Sequence, residues 1–463
     1  MSTIAATSEL EVDLDLIRRL DRNGPRYTSY PTADRFSPAF TPESYQKWVA
    51  QRDPGRPLSL YIHIPFCNTL CFYCACNKII TKDRSRSARY VQYLIKEMAM
   101  QAALMPGERR LEQLHWGGGT PTFLSDDEMR ELMAATNEHF TLVPDGEYSI
   151  EIDPRKVTDE TIALLGSLGF NRISIGVQDF DPQVQVAVNR IQSEEETLRV
   201  MRAARANGFK SVSLDLIYGL PKQTLESVRA TLERVIAANP DRLSIYNYAH
   251  MPTVFMPQRR IHESDLPAPQ TKLDILKLAV NMLTDAGYVY IGMDHFAKPD
   301  DELAVAQRAG RLHRNFQGYS THADCDLIAL GVSAIGKVGP TYSQNFREEE
   351  EYYAALDRNV LPIMRGMELD ADDLVRRAII QALMCHFALD KASFNDTFGI
   401  DFDSYFATEL GELSEYAREG LLLMSADRLA VTPKGRMLIR NICMVFDKYL
   451  RTRTEHARYS KVI

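Results

Sequence analysis

Six short apolar runs, spaced between residues 58 and 248 of a 463-residue chain, constrain what it can fold into more than any other feature. They are LSLYIHI (58–64), LEQLHW (111–116), EYSIEID (147–153), RISIGVQ (172–178), SVSLDLIYG (211–219) and RLSIYNY (242–248), with YVYIGMDHF (288–296) a candidate seventh. Between them the apolar residues fall at helical spacing, as in Ala88 to Leu104, Thr161 to Leu168 and Ser227 to Ala238. Strands apolar on both faces, joined by crossover helices, belong in a parallel sheet. Six consecutive βα units predict a full or partial barrel rather than an open two-layer sheet, with reactive residues at the C-terminal strand ends.

The chemistry-bearing residues fall at those ends. Ile64-Pro65-Phe66-Cys67 closes the first run and Gly117-Gly118-Gly119-Thr120-Pro121-Thr122 the second. Glu151 and Asp153 close the third, Gln178 the fourth, Asp215 the fifth, and Asn247 to His250 the sixth. After the first run, Cys67-x3-Cys71-x2-Cys74-x-Cys76 packs four of the chain's seven cysteines into ten residues. A cytosolic, reducing setting makes such a cluster metal ligands or redox thiols rather than disulfides. Three thiolates on a loop leaving a strand end can wrap one iron–sulfur cube and leave one iron open. Structural zinc is the alternative, although no second ligand pair or finger-spaced His follows. Cys325, Cys385 and Cys443 stand alone in apolar surroundings and are expected in the core.

A chain 45% hydrophobic and 25% charged can bury a large core and should form two or three domains. Four segments are expected: an arm and lead-in (1–55), the barrel (56–300), an extension carrying NFQGY and ALGVSAIG (301–368), and a helical, winged-helix-like covering domain (369–463). In the last, helical Asp370 to Ala388, a hairpin in GLLLMSADRLAVTPKG (420–435) and a final helix from Arg436 to Leu450 are expected. Its residues 371–463 hold 13 Lys and Arg against 13 Asp and Glu, which argues against DNA binding. The net charge of −8 argues against any nucleic-acid partner. The N-terminus lacks a basic region before an apolar stretch, and the longest apolar run, around Leu327 to Ile335, is too short to span a bilayer. A cytoplasmic protein is expected.

Cys67-x3-Cys71-x2-Cys74, with Tyr73 before the third cysteine, resembles the signature of the radical S-adenosylmethionine (SAM) enzymes, and GGGTPT resembles their glycine-rich strand end. GPRYTSYPTADRF (24–36), GMDHFAKPDDELA (292–304), RNFQGYST (314–321), ALGVSAIG (329–336) and the extra Cys76 resemble one subfamily, the oxygen-independent coproporphyrinogen III dehydrogenases (oxidases) of haem biosynthesis. The resemblance runs from about Asp21 to the C-terminus. It implies an α/β fold, a partial (βα)6 TIM-like barrel of the radical SAM type with an N-terminal arm and a mostly helical C-terminal domain. It also implies a [4Fe–4S] cluster whose open iron binds SAM. In the implied reaction a 5′-deoxyadenosyl radical abstracts a β-hydrogen from a propionate of coproporphyrinogen III. The substrate radical loses CO2 and passes one electron to an unknown acceptor, so that two propionates become the vinyl groups of protoporphyrinogen IX.

Carried over position by position, the resemblance makes Cys67, Cys71 and Cys74 cluster ligands and leaves Cys76 a non-ligand beside the cofactor. Gly118, Gly119 and Thr120 would hold the SAM methionine group, Glu151 its ammonium and Arg190 its carboxylate. Gln178 and Asp215 would contact the ribose, and the backbone near Tyr73 and Ala249 the adenine. Two SAM per chain are implied, Tyr61, Phe316, Gln317 and Ile335 lining the second. Taken singly, Glu151 could instead cap a helix or pair with an arginine, Asp215 brace a loop, Ile335 fill core, and Phe316-Gln317 form an ordinary turn. A monomer is expected, with an electron donor such as flavodoxin or ferredoxin. The arm, with Pro25 and Pro31 blocking helix, is expected to run along the surface and close over the barrel mouth, Arg22, Arg26 and Arg35 meeting substrate carboxylates. Arg311, Arg314 or the tail around Arg451 to Lys461 are the other candidates for holding them. A haem-carrying chaperone of the same superfamily is a second reading, weakened by the fourth cysteine and the long arm. A zinc-stabilised regulatory protein is a third.

Overall fold

The computed structural model describes residues 10–322, 325–451 and Tyr459. The chain forms two compact units, one from residues 36–267 and 324–368, the other from residues 1–35, 268–323 and 369–463.

The first unit is built on strands β1 (Leu58–Ile64), β2 (Phe66–Cys67), β3 (Ile79–Ile80), β4 (Arg110–Gly118), β5 (Thr141–Ile152), β6 (Arg172–Gln178), β7 (Ser211–Tyr218) and β8 (Arg242–Asn247). In order β1-β4-β5-β6-β7-β8 they form one parallel run, so each of the six expected runs is a strand of a (βα)6 half-barrel. Crossover helices such as Asp126–His139, Glu194–Ala206 and Leu225–Ala238 start at capping boxes on Ser125, Ser193 and Thr224. A hydroxyl there satisfies an N–H that the first helical turn leaves open, which fixes where each crossover begins. Strands β2 and β3 pair in parallel and close the cysteine loop into a ring of chain.

Residues 268–323 carry β9 (Val289–Gly292), β10 (His295–Ala297), β11 (His313–Asn315) and β12 (Gly318–Ser320) in the other unit. The chain then returns to the first unit as β13 (Asp326–Leu330), parallel to β1 on the side away from β4. Antiparallel β14 (Ile335–Val338), β15 (Thr341–Asn345) and β16 (Ile363–Glu368) follow outward from it. Strand β1 is therefore interior, and its C-terminal end is braced from both sides.

Glu97, on the helix Ser85–Ala103, makes that brace. Fully buried, its carboxylate accepts hydrogen bonds from the Gly331 N–H at 2.8 Å, Asn345 Nδ2 at 2.7 Å and the Tyr352 hydroxyl at 2.6 Å. Nearby, the Tyr90 hydroxyl donates to the His63 carbonyl and accepts from the Val332 N–H, both at 2.9 Å. The turn between β13 and β14 is thus fastened to the end of β1.

In the second unit, β9 and β10 pair antiparallel, so the seventh apolar run is split into a hairpin rather than one continuous strand. The break comes between the two strands, at Met293 and Asp294, where Met293 has a φ of 53° that no extended strand can carry. The C-terminal segment holds the helix Ala371–His386 and a three-stranded sheet of β17 (Ala388–Asp390), β18 (Leu422–Met424) and β19 (Arg428–Val431), in order β17-β19-β18. Helix Ile439–Val445 follows, and helix Lys448–Arg451 comes after it, where one longer helix was expected.

The N-terminal arm differs from expectation. It contains the helix Leu14–Leu20, and Tyr27 and Tyr30 are buried. Arg22 donates to the Tyr416 hydroxyl at 3.0 Å and the Asn441 carbonyl at 3.2 Å, Arg26 pairs with Asp294, and Arg35 donates to the Tyr449 carbonyl at 3.2 Å. The three arginines read as waiting for substrate already have partners inside their own unit. Apolar side chains between the charges, invisible to a charge-based reading, anchor the arm. Most of the tail from Arg451 to Lys461 lies outside the described residues. Among the described residues, no helix is long and apolar enough to cross a membrane.

Burial pushes the Glu97 carboxyl up to about 7 from its usual 4.5, three hydrogen bonds notwithstanding. A carboxyl raised on folding contributes its stability below the unfolded value and loses it as pH rises through the folded one. Glu97→Gln cannot lose that contribution. Its unfolding free energy relative to wild type should therefore rise by on the order of 3 kcal/mol between pH 4.5 and 8, measured as paired urea titrations across that range.

Candidate active site

The C-terminal ends of β1, β4, β5, β6 and β7 enclose a cavity of about 290 Å³, lined by the cysteine loop on one wall. Cys67, Cys71, Cys74 and Cys76 all face it and all are free thiols. Chain pairing shapes the loop: the Phe72 N–H donates to the Val188 carbonyl at 3.0 Å, Asn189 Nδ2 to the Leu70 carbonyl at 2.7 Å, and Gln258 Nε2 to the Tyr73 carbonyl at 3.1 Å. Lys78 Nζ donates to the Cys74 and Cys76 carbonyls at 3.0 and 3.3 Å.

The glycine tip of β4 packs directly on this loop. The Gly119 N–H donates to the Ile64 carbonyl and the Thr120 N–H to the Phe66 carbonyl, both at 2.9 Å. A Cβ on Gly119 would stand 2.5 Å from the Pro65 carbonyl oxygen, and one on Gly118, whose φ is +115°, would stand 2.6 Å from the His63 ring. The missing side chains are thus required first by the cysteine loop and by His63. Their backbone is then left open to the cavity that Gly118, Gly119 and Thr120 line. The Thr120 hydroxyl lies 3.4 Å from Cys67 Sγ.

Charge is distributed unevenly around the cavity. Arg190 Nη1 and Arg155 Nη2 approach Cys71 Sγ at 3.6 and 3.9 Å, and Asp153 holds both guanidiniums, at 3.6 and 2.6 Å. Arg190 Nη2 donates to the Gly176 carbonyl at 2.7 Å, but its Nε is buried with no hydrogen-bond partner among the described residues. Across the cavity, Glu151 accepts from the Gly118 N–H at 3.0 Å and lies 3.3 Å from His115 Nε2, its side chain 45% exposed to the empty space. Burial raises the Glu151 carboxyl, yet the His115 and Gly118 hydrogen bonds outweigh burial and hold it below its ordinary value. Asp215, accepting from the Ser174 hydroxyl at 2.7 Å, is pushed by burial up to about 6. Burial pushes the Cys67 thiol to about 11, while the Cys76 thiol and Lys78 pull Cys74 down to about 6.

Gln178 enters the cavity because β6 bulges between Gly176 and Gln178, the latter with a φ of 68°. Tyr73 also lines the cavity, whereas Ala249 lies in the turn after β8 and does not. Tyr61, on β1, does not line it either. Its hydroxyl meets His63 Nδ1 at 2.9 Å and its ring stacks on His115, centroids 5.8 Å apart. Ile335 opens β14 in the same unit, half-buried. Phe316 and Gln317 form the turn between β11 and β12 in the other unit.

The sequence reading passed over His63, His115 and Arg155, and gave Asp153 no role. The two histidines were visible only as alternate residues on strands, and cross-strand register, not local sequence, puts Tyr61 opposite His115 and His115 opposite Ser149. Arg155 had one available signal, its position two residues after a strand end.

Clustered thiols, an unpartnered buried guanidinium N–H, a facing carboxylate and bare glycine backbone fit an iron–sulfur cluster with a bound amino acid group. Fold and site together define a radical SAM protein, and the Radical SAM superfamily matches residues 61–235, with the HemN C-terminal domain matching 369–438. The oxygen-independent coproporphyrinogen III oxidase of Pseudomonas aeruginosa is 53% identical over 97% of this chain and 98% of its own length. That of Escherichia coli is 49% identical over 99% and 100%. The solved E. coli enzyme, described as coproporphyrinogen III oxidase (HemN), a radical SAM enzyme, superposes with a TM-score of 0.92 over 95% of this chain and 100% of its own. The chain belongs to the oxygen-independent coproporphyrinogen III oxidase family. Those relatives are named as oxidases, which gives no support to the haem-chaperone or zinc-regulator readings.

Gly119→Ala should break the seam between β4 and the loop, because the obstructing atoms are backbone and cannot rotate away. The expected result is a folded chain, by far-ultraviolet circular dichroism, whose iron content after anaerobic reconstitution is at least several-fold below wild type.

Proposed function

We propose that this chain converts two propionate side chains of coproporphyrinogen III to vinyl groups by radical SAM chemistry, giving protoporphyrinogen IX. The observation that carries this reading is the cavity itself, where four thiols, Arg190 Nε and the open face of Glu151 converge at the end of a six-strand parallel run, in a chain half identical to named oxidases. When bound, the cluster and SAM supply a 5′-deoxyadenosyl radical.

The protein's own part is binding and orientation. Cys67, Cys71 and Cys74 would ligate three irons, with Arg155 and Arg190 placed to donate toward the Cys71 sulfur. The Arg190 Nε would donate to the methionine carboxylate and Glu151 would accept from its ammonium, each with the charge its partner needs. His115, linked to Ser149 at 2.6 Å, holds the Glu151 carboxylate in place and charged. Gln178 and Asp215 would bind the ribose hydroxyls, and the loop backbone at Tyr73, with the turn at Ala249, the adenine. Tyr61, Phe316, Gln317 and Ile335 are assigned to a second SAM on the resemblance alone. The reading includes two SAM per chain, a monomer in the cytoplasm, and a one-electron donor of the flavodoxin or ferredoxin kind.

The test is an anaerobic assay of reconstituted protein with SAM, a reductant and coproporphyrinogen III, following protoporphyrin after oxidation. Product formation is expected, and none, together with tight haem binding, would transfer the chain to the chaperone class. Cys67→Ser, Cys71→Ser and Cys74→Ser should each abolish the iron–sulfur chromophore and most iron and sulfide. Cys76→Ser should retain them. Equal loss in all four variants would overturn the ligand assignment.

A further inference from the structure

The hairpin of β11 and β12 holds a charge that the fold leaves unanswered. Arg314 is 4% exposed, yet its Nε and Nη1 are buried without a hydrogen-bond partner among the described residues. Its guanidinium lies over the Tyr319 ring at 4.8 Å, and its main chain is clamped by Gln381, which accepts from the N–H at 3.3 Å and donates to the carbonyl at 2.6 Å. The side chain is therefore held, and among the described residues no carboxylate holds it. In the turn of that hairpin, Gln317 Nε2 is also buried without a hydrogen-bond partner among the described residues. On the helix Ala371–His386, Arg377 precedes Gln381 by one turn and so shares its face, and Arg377 Nη1 is a third such donor.

All three orphans are donors, and two carry positive charge. Asp294, the carboxylate on the preceding hairpin, is taken by Arg26. Arg440, another buried guanidinium, is answered by the Gly24 and Pro25 carbonyls, repelled by Arg26 and Arg314 and attracted by Asp294. An uncompensated buried cation is costly, so a fold retains one where something supplies the anion.

We propose that Arg314, supported by Gln317 and Arg377, is the receptor for a carboxylate of a bound organic ligand. Resting on the function proposed above, the expected source is a propionate of the tetrapyrrole. The α-carboxylate of a second SAM has the same chemistry and is the other source.

The test uses full-length reconstituted protein and Arg314→Met, which keeps the length and removes the charge. Coproporphyrin III and its tetramethyl ester are the optical probes, and SAM is counted by equilibrium dialysis. The variant should bind coproporphyrin III at least tenfold more weakly, the loss of one charge-assisted hydrogen bond, and the ester as wild type does. Without ligand it should melt at or above wild type, because a buried charge with no partner has been removed. Loss of bound SAM with unchanged porphyrin affinity would assign the same receptor to SAM. Unchanged binding of both ligands would overturn the proposal, as would a lower melting temperature with equal losses for acid and ester, the mark of a purely structural arginine. Should wild type bind SAM but neither bind porphyrin nor form product, the proposed function fails while the SAM arm still decides Arg314.

Discussion

Backbone contact between the glycine tip of β4 and the residues just before the first cysteine organises everything at the barrel mouth. With the Gly119 and Thr120 N–H groups bonded to the Ile64 and Phe66 carbonyls, the cysteine loop cannot swing away from the sheet. The tip in turn is held by Glu151 through the Gly118 N–H, and Glu151 by His115, so the loop, the glycines and the carboxylate form one connected body. Rigid support of this kind matters for a site in which thiols must converge within a few ångströms and a carboxylate must face them without contact. The brace at Glu97 extends the same body to the turn after β13, on the far side of β1.

The electrostatics follow from where opposite charges were placed. Two guanidiniums converge on one thiol, Cys71, and among the described residues one carboxylate, Asp153, answers them. That leaves a positive excess against a loop that becomes negative once its thiols ionise to bind metal. On the opposite wall, Glu151 is kept charged and Asp215 is pushed toward neutrality by burial. A zwitterion laid across the cavity meets a sign gradient matching its own, and a hydroxyl finds an acceptor farther along the strand ends.

How much of this was legible depended on whether the information was local. The six parallel strands were readable because burial on both faces makes each a continuous apolar run, and strand ends were readable because a polar residue must stop such a run. The cysteines, Glu151, Gln178, Asp215 and Arg190 were placed through motif spacing and resemblance. His63 and His115 were not, since their surroundings come from pairing between strands far apart in sequence. Strand β13 escaped for the same reason: it joins β1 only after the chain has left this unit and come back. The arm was misread because its arginines were conspicuous and its buried Leu16, Ile17, Tyr27 and Tyr30 were not.

Arginine in the second unit shows what an ordinary buried guanidinium looks like here. Arg376 lies between Asp372 and Glu409, both at 2.9 Å, and donates to the Phe446 carbonyl at 3.0 Å. Arg440 donates to two main-chain carbonyls, and burial with the neighbouring cations pulls it down to about 10. The arm, by supplying those carbonyls at Gly24 and Pro25, completes the burial of that charge, which ties its conformation to the helix Ile439–Val445. Arg376 and Arg440 show two kinds of partner for a buried arginine in this unit, a paired acid and main-chain carbonyls. Among the described residues, Arg314 Nε and Nη1 receive neither, although Asp294 lies on the adjacent hairpin and pairs with Arg26. A third kind of partner, arriving from outside the chain, is what the other two solutions leave room for.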